Sequence, residues 1–236
     1  LAEHFVRTGA APSRDRLGSA ELSVRKSLAV LRLERLLLPG LESRYRAQTR
    51  EIMALRGACC TEVPDCAALR AEDHPLGLNE VLLYHGCRAA SVQGILADGF
   101  DAGRAGERSG RFFGRGSYFA DVAAKADGYA DADAEGRRCL IVAQVCLGKV
   151  RPATKAMPGL ERPPADEEGG PAFDAILGED IAHGGPLDHR EYVVYSGAQA
   201  LPRYLVWYQH AQGCSCFRCR SAAARWAAAA PPPALP

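Results

Sequence analysis

Several apolar, β-prone runs separated by connections of no regular kind constrain this chain more than any other feature. The runs are "SLAVLRLER" (27–35), "EVLLYHGC" (80–87), "RRCLIVAQVCLG" (137–148), "EYVVYS" (191–196) and "RYLVWYQ" (203–209), with a shorter "SYFA" at 117–120. In the first, Ala29, Leu31 and Leu33 alternate with Arg32 and Glu34, a period of two that predicts a half-buried strand with the apolar side inward. Helical spacing lies between the runs. Pro39 suits a first turn, and Leu41, Tyr45, Gln48, Ile52 and Leu55 predict an amphipathic helix over 40–56. Ser91 is a capping residue for a short helix over 91–100 that carries Val92, Ile95 and Leu96 and closes at Gly99. Asp121 is expected to cap another, "DVAAKADGY", and "HFVRT" near the start reads as the end of a helix. The long segment 151–188 reads as irregular, with "FDAIL" as a short ordered piece. This is not a βαβ alternation and there are no internal repeats. The pattern predicts an α+β fold with a mainly antiparallel sheet and short flanking helices.

The expected organisation is a lead-in over 1–26, one folded unit over 27–210, and a tail over 211–236 that holds cysteines and then an Ala/Pro-rich, disordered stretch. A start at Leu1 is expected of a segment cut from a longer chain, so an upstream targeting signal would not be readable. Basic and acidic residues nearly cancel, 29 against 28. That balance gives no field for nucleic acid. No apolar run reaches the roughly 18 residues of a membrane span. Nine cysteines, an odd number, occur singly or in two clusters. Reduced thiols inside the cell, in nucleus or cytoplasm, are the expectation.

Three pieces set a polar or aromatic residue at the boundary of an apolar strand: "YHG" (84–86), "GRGSYF…GY" (114–129) and "EYVVY" (191–195). Singly, each has a plain reading: His85 as a core histidine, Tyr118 and Tyr129 as core aromatics, Glu191 as a surface charge. Their order and surroundings read differently. "LLYHGC", seven residues, "ILADGF", then "FGRGSYFADVAAKADGY" and "EYVVYSGAQALPRYLVWYQ" together resemble the catalytic domain of the poly(ADP-ribose) polymerase family. The "ILADGFDAG…GRFFGRGSYFA" piece and the last segment look most like its tankyrase branch. The resemblance covers about Ser27 to Gln209.

The resemblance implies an ADP-ribosyltransferase fold with a split sheet and NAD+ as co-substrate, cleaved between nicotinamide and ribose. Tyr118 and Tyr129 match the two tyrosines that stack on the nicotinamide ring, contacts worth roughly 0.5–2 kcal/mol each. Gly86 matches the residue whose backbone N–H and C=O hold the carboxamide. His85 matches the histidine on the adenosine ribose, and Glu191 the catalytic glutamate. Lys125 matches a basic position in the helix, with a solvated lysine as the alternative. The Gly/Arg loop at 101–113 matches the one lining the adenosine and diphosphate.

Two positions depart from the family pattern. Ala126 stands where a serine usually donates to the carboxamide, a loss of roughly 0.5–1.5 kcal/mol. Cys87 replaces the usual Ser or Thr after Gly86. They leave room for a weakly active NAD+- or ADP-ribose-binding module beside the main expectation, poly- or oligo-ADP-ribosylation of acceptor proteins that the sequence does not identify, and beside mono-transfer. The tankyrase branch has a zinc site after the second tyrosine. This chain has only "ADADAEGRRC" there, so that site is not carried over. No metal is the expectation, with His210, Cys214, Cys216 and Cys219 as the foremost possible zinc set in a spacing unlike a standard finger, and Cys59, Cys60, Cys66 and His74 as a weaker one.

Overall fold

The structure is a computed structural model that describes residues 1–13, 24–25, 27–57, 63, 68–70, 77–104, 112–166, 169–212, 214, 216 and 219. Cys59, Cys60, Cys66, His74 and loop residues 105–111 lie outside the described residues. In chain order the elements are α1 (Ala2–Gly9), β1 (Pro12–Ser13), β2 (Val24–Arg25), β3 (Leu28–Arg35), α2 (Pro39–Arg56), β4 (Leu69–Arg70), β5 (Glu80–Gly86), α3 (Ala89–Asp98), β6 (Ser117–Phe119), α4 (Ala123–Asp127), β7 (Arg137–Cys146), β8 (Val150–Ala153), β9 (Ala175–Gly178), β10 (Glu191–Val194) and β11 (Ala200–His210). Among the described residues no helix is long and apolar enough to cross a membrane.

The strands form a five-stranded sheet in the order β3-β11-β7-β5-β4 and a four-stranded sheet in the order β6-β10-β9-β8, with β1 and β2 paired apart. All the described pairings are antiparallel except β8 with β9. The two larger sheets are stitched at one point. Tyr84 and Ala120 exchange both backbone hydrogen bonds, at 2.8 and 2.9 Å. This bridge brings the end of β6 to β5, and with them the two motifs on which the site depends.

The run "CLIVAQVC" is continuously apolar because β7 lies between two neighbours and is buried on both faces from Cys139 to Cys146. Its one polar residue, Gln144, donates to Glu80 at 2.7 Å and accepts from Arg203 at 2.7 Å, so it is not left unsatisfied. Leu83, Ile141, Leu177, Tyr192 and Val194, drawn from both sheets, share one core. Each such fully buried branched side chain contributes about 1.5–3 kcal/mol relative to exposure. α1 is packed into a second core, where Phe5 lies edge-on to Tyr84 and Tyr208.

Several local expectations are corrected. In β3 the buried side is Leu28, while Leu31 and Leu33 are exposed. β3 lies at the end of the sheet order, so pairing with β11 rather than its own alternation decides which side is covered. In α2, Leu41, Tyr45 and Ile52 are buried as expected, but Thr49 completes the stripe and Leu55 is exposed. α3 begins two residues before Ser91, with Arg88 at its N-cap. α4 starts at Ala123, with Val122 at its N-cap position, and the Asp121 carboxylate accepts from the buried Tyr192 hydroxyl at 3.0 Å. The segment 151–188 contains two strand pieces, β8 and β9, in place of irregular chain alone. Pro152 within β8 masked that strand, because proline argues against a ladder position. Part of the Gly/Arg loop is also core, since Phe113 is fully buried.

Candidate active site

The sequence at 84–87 folds as the last residues of β5 and the turn beyond it, opposite Ile141 and Leu140 of β7. A strand that ends inside a protein must turn against something. A β-carbon on Gly86 would lie 1.9 Å from the Ala126 carbonyl oxygen, 2.8 Å from its carbon and 3.1 Å from Tyr129 Cβ. Only glycine permits this approach. The end of β5 is thereby brought against the last turn of α4 and Tyr129 beyond it. Asp131 then accepts the Ala89 N–H at 2.7 Å, so both chains leave the site tied together.

His85 approaches Tyr118. Its Nδ1 lies 2.9 Å from the Tyr118 carbonyl, which can only accept, so Nδ1 carries the hydrogen and Nε2 is the acceptor of the neutral ring. Phe100 and Phe119 pack against the imidazole, which is half-buried. Loss of hydration pushes its pKa below 6.5, outweighing the hydrogen bond to the Tyr118 carbonyl, which raises it.

Tyr118 is in β6, paired with Val193 of β10. Its hydroxyl donates to the Gly114 carbonyl at 2.8 Å and accepts the Phe113 N–H at 3.0 Å, which pins the ring to the glycine loop. Gly114 has φ +79° and packs on Leu160, where a β-carbon would meet the carbonyl oxygen at 1.9 Å. Gly116 packs against β10 in the same way, with Val193 Cγ1 2.4 Å from where its β-carbon would lie. The two glycines therefore turn the loop tightly into the strand that carries Tyr118.

Glu191 is the first residue of β10 and is buried, at 7% exposure. Lys125 of α4 reaches its Oε1 at 3.0 Å and donates to the His189 carbonyl at 2.6 Å. Lys125 is thus not a solvated helical lysine; its side chain is 14% exposed and spans from α4 to the start of β10. Just before it, Arg190 forms a buried 2.8 Å ion pair with Glu179. Sequence reasoning missed Arg190, Glu179 and Asp121 as supports of the glutamate's strand. The juxtaposed charges in "HREYVV" were the available signal, because arginine is rarely buried unless paired.

Ala126 is buried in the core that contains Phe5, Tyr84 and Leu140. Its carbonyl accepts the Tyr129 N–H at 3.0 Å, and Tyr129, half-buried, lies two residues beyond the end of α4. Cys87 is half-buried, and burial pushes its thiol up to about 12, too high for a nucleophile at neutral pH. The contacts therefore link His85 to Tyr118, Gly86 to Ala126 and Tyr129, and Lys125 to Glu191. Before the residues outside the described set, the Gly/Arg loop makes a turn at Ala102–Arg104.

Residues 17–210 match the family model of the poly(ADP-ribose) polymerase catalytic domain. The chain belongs to that family. Among curated proteins it is similar to the mouse protein mono-ADP-ribosyltransferase PARP10, 29% identical over 186 residues, covering 78% of this chain and 17% of that protein. It is 32% identical over 162 residues to the Caenorhabditis elegans poly [ADP-ribose] polymerase tankyrase, covering 56% of this chain and 7% of that one. Human poly [ADP-ribose] polymerase 2 is 31% identical over 158 residues, covering 56% and 27%. The chain thus spans between a fourteenth and about a quarter of the length of these relatives. The α+β architecture with its split antiparallel sheet is that of an ADP-ribosyltransferase fold.

Proposed function

We propose that this poly(ADP-ribose) polymerase domain is an NAD+-dependent ADP-ribosyltransferase. It breaks the bond between nicotinamide and ribose C1′, and transfers ADP-ribose to a protein side chain or a growing ADP-ribose chain. The observation that carries this reading is the setting of Glu191. A buried carboxylate at a strand start is fixed by Lys125, whose neighbour Ala126 packs on Gly86.

In this reading Tyr118 and Tyr129 stack on the nicotinamide ring, and the Gly86 backbone holds its carboxamide. His85 accepts a hydroxyl of the adenosine ribose through Nε2. Glu191 holds the nicotinamide ribose 2′-hydroxyl and offsets positive charge as the C1′–N bond lengthens. The bonding pair leaves with nicotinamide. The acceptor oxygen bonds C1′, and its proton goes to Glu191, a general-base step worth about 10²–10⁴-fold. Lys125 is a positioning residue that fixes the glutamate's Oε1.

Glu191 favours poly- or oligo-transfer, because the same carboxylate can activate a ribose hydroxyl of a previous unit. The glycine-loop and C-terminal strand segments favour placement near the tankyrase branch. Mono-transfer is the second reading, favoured by a similarity to the mouse mono-ADP-ribosyltransferase that extends over more of this chain than the others reported. We infer that the domain works inside the cell, in nucleus or cytoplasm, where the six described cysteines, none in a disulfide, stay reduced.

Incubation with NAD+ labelled in the adenylate part tests the reading. Label on protein that extends to a ladder with time supports polymer formation. One discrete shift selects mono-transfer. No covalent label overturns the proposed activity.

A further inference from the structure

The last residue of β11 and three residues of the segment after it form a cluster beside Asp127 of α4. His210, Cys214, Cys216 and Cys219 each offer one ligand atom, and these atoms lie within 4.8 Å of one another. His210 Nδ1 is 3.6 Å from the Cys214 sulfur, 3.3 Å from that of Cys216 and 3.2 Å from that of Cys219. In a tetrahedral zinc site, with Zn–S near 2.3 Å and Zn–N near 2.0–2.1 Å, a nitrogen and a sulfur on the same ion stand about 3.5 Å apart. The three distances bracket that value.

Hydrogen bonding does not account for such convergence. His210 Nε2 lies 2.9 Å from the buried Asp127 carboxylate and donates to it. The neutral ring then has its hydrogen on Nε2 and a single lone pair on Nδ1. One lone pair accepts from one thiol, yet three sulfurs surround it. A cation at their centre satisfies all four atoms at once. Asp127 also accepts the Tyr208 hydroxyl at 2.7 Å and is fully buried, so the carboxylate that orients the histidine is itself held. A carboxylate on the outer nitrogen of a ligating histidine is the usual support of a protein zinc site. Cys216 is 1% exposed, so the cluster is closed to solvent on its deepest side.

We propose that His210, Cys214, Cys216 and Cys219 bind one Zn2+ in a closed, four-ligand structural site, with Asp127 as the residue that orients His210. The three thiols release their protons as the ion binds. Cys214, Cys216 and Cys219 lie beyond the residues matched to the family, so the site joins the tail to α4 rather than forming part of the shared domain. It is also distant in sequence from the loop after Tyr129. The spacing H-x3-C-x-C-x2-C fits no standard finger; the convergence of the four ligand atoms and the pairing of His210 with Asp127, 83 residues earlier, carry the assignment.

The test is metal content of the full 1–236 chain, purified under reducing conditions from zinc-supplemented medium. The expected result is close to one zinc per chain. Replacement by Co2+ should give the visible bands of a tetrahedral thiolate site. Chelation should lower the melting temperature, and added Zn2+ should restore it. Asp127→Asn should weaken zinc in competition with a chromophoric chelator about 10–100-fold, and Cys216→Ser should abolish the cobalt bands. If Cys216→Ser does not fold, Cys219→Ser serves the same purpose. Less than a tenth of a zinc per chain with no cobalt spectrum overturns the proposal. So does an intact mass showing a disulfide among these cysteines in metal-free protein that melts at the same temperature with and without Zn2+. None of these readings depends on ADP-ribosyl transfer, so the site stands or falls apart from the activity.

Discussion

The two sides of α4 are built from adjacent residues and were not equally readable. Lys125 and Ala126 look toward β5 and β10, where Glu191 and Gly86 meet them. Asp127, next in sequence, accepts from Tyr208 and His210 instead. On the first side, every partner falls in a segment with a strong motif, and the order of those motifs carries the site. On the second side, the partners are a lone Asp and a tail whose composition suggests disorder. A five-residue helix can serve both because glycine at 86 lets one neighbour approach its backbone directly, while its side chains reach the rest.

The difference can be broken experimentally, beginning with the largest effect. Glu191→Gln keeps the shape of the side chain and removes its charge. Transfer of labelled ADP-ribose should fall about 10²–10⁴-fold, with zinc content and melting temperature of the chain little changed. Equal loss of metal would mean that the two sides are one unit.

Gly86→Ala comes next. The new β-carbon would overlap the Ala126 carbonyl, so either β5 or α4 must shift. Such overpacking costs about 1–3 kcal/mol. A urea titration should show a lower midpoint, and affinity for a nicotinamide-mimicking inhibitor should fall with it. An unchanged midpoint and unchanged affinity would show that the close approach is not held in solution.

How much could be read from the chain beforehand divides along the same line. The strands β5, β7, β10 and β11 announced themselves as apolar runs, and the ordered set of His85, Tyr118 and Glu191 announced the family. What escaped were features decided by distant partners. The buried face of β3 depends on β11, and the strand at 150–153 hides a proline. The bond from the buried Tyr192 hydroxyl to Asp121 is one that no local pattern announces. Lys125 looked as if it could be solvated until His189 and Glu191 came beside it. Local pattern carries none of these, because each is fixed by a residue tens of positions away.

A smaller effect concerns His85. Its folded-state pKa lies below 6.5. As pH falls through 6.5, the unfolded chain takes up a proton that the folded ring refuses. The resulting loss of stability is absent above that pH and grows as the pH drops toward the folded-state value. Ring signals of His85 followed by NMR should still report a neutral imidazole at pH 6.5. A midpoint at or above 6.5 would contradict the partly desolvated, Nδ1-protonated ring.

The smallest effect is expected at Ala126. Ala126→Ser restores a hydroxyl of the family pattern and should tighten a nicotinamide-mimicking inhibitor about twofold to tenfold. Unchanged or weaker binding in a calorimetric titration would mean that this buried position serves the core with Phe5 and Tyr84, and not the carboxamide.

The central claim is that the side of α4 carrying Lys125 and Ala126 closes a nicotinamide slot with β5 and β6. A crystal structure of the chain soaked with nicotinamide tests it most directly. The account predicts the ring between Tyr118 and Tyr129, its carboxamide on the Gly86 backbone N–H and C=O, and Glu191 still paired with Lys125. A nicotinamide bound elsewhere, or none at a concentration that saturates a related polymerase domain, would contradict it.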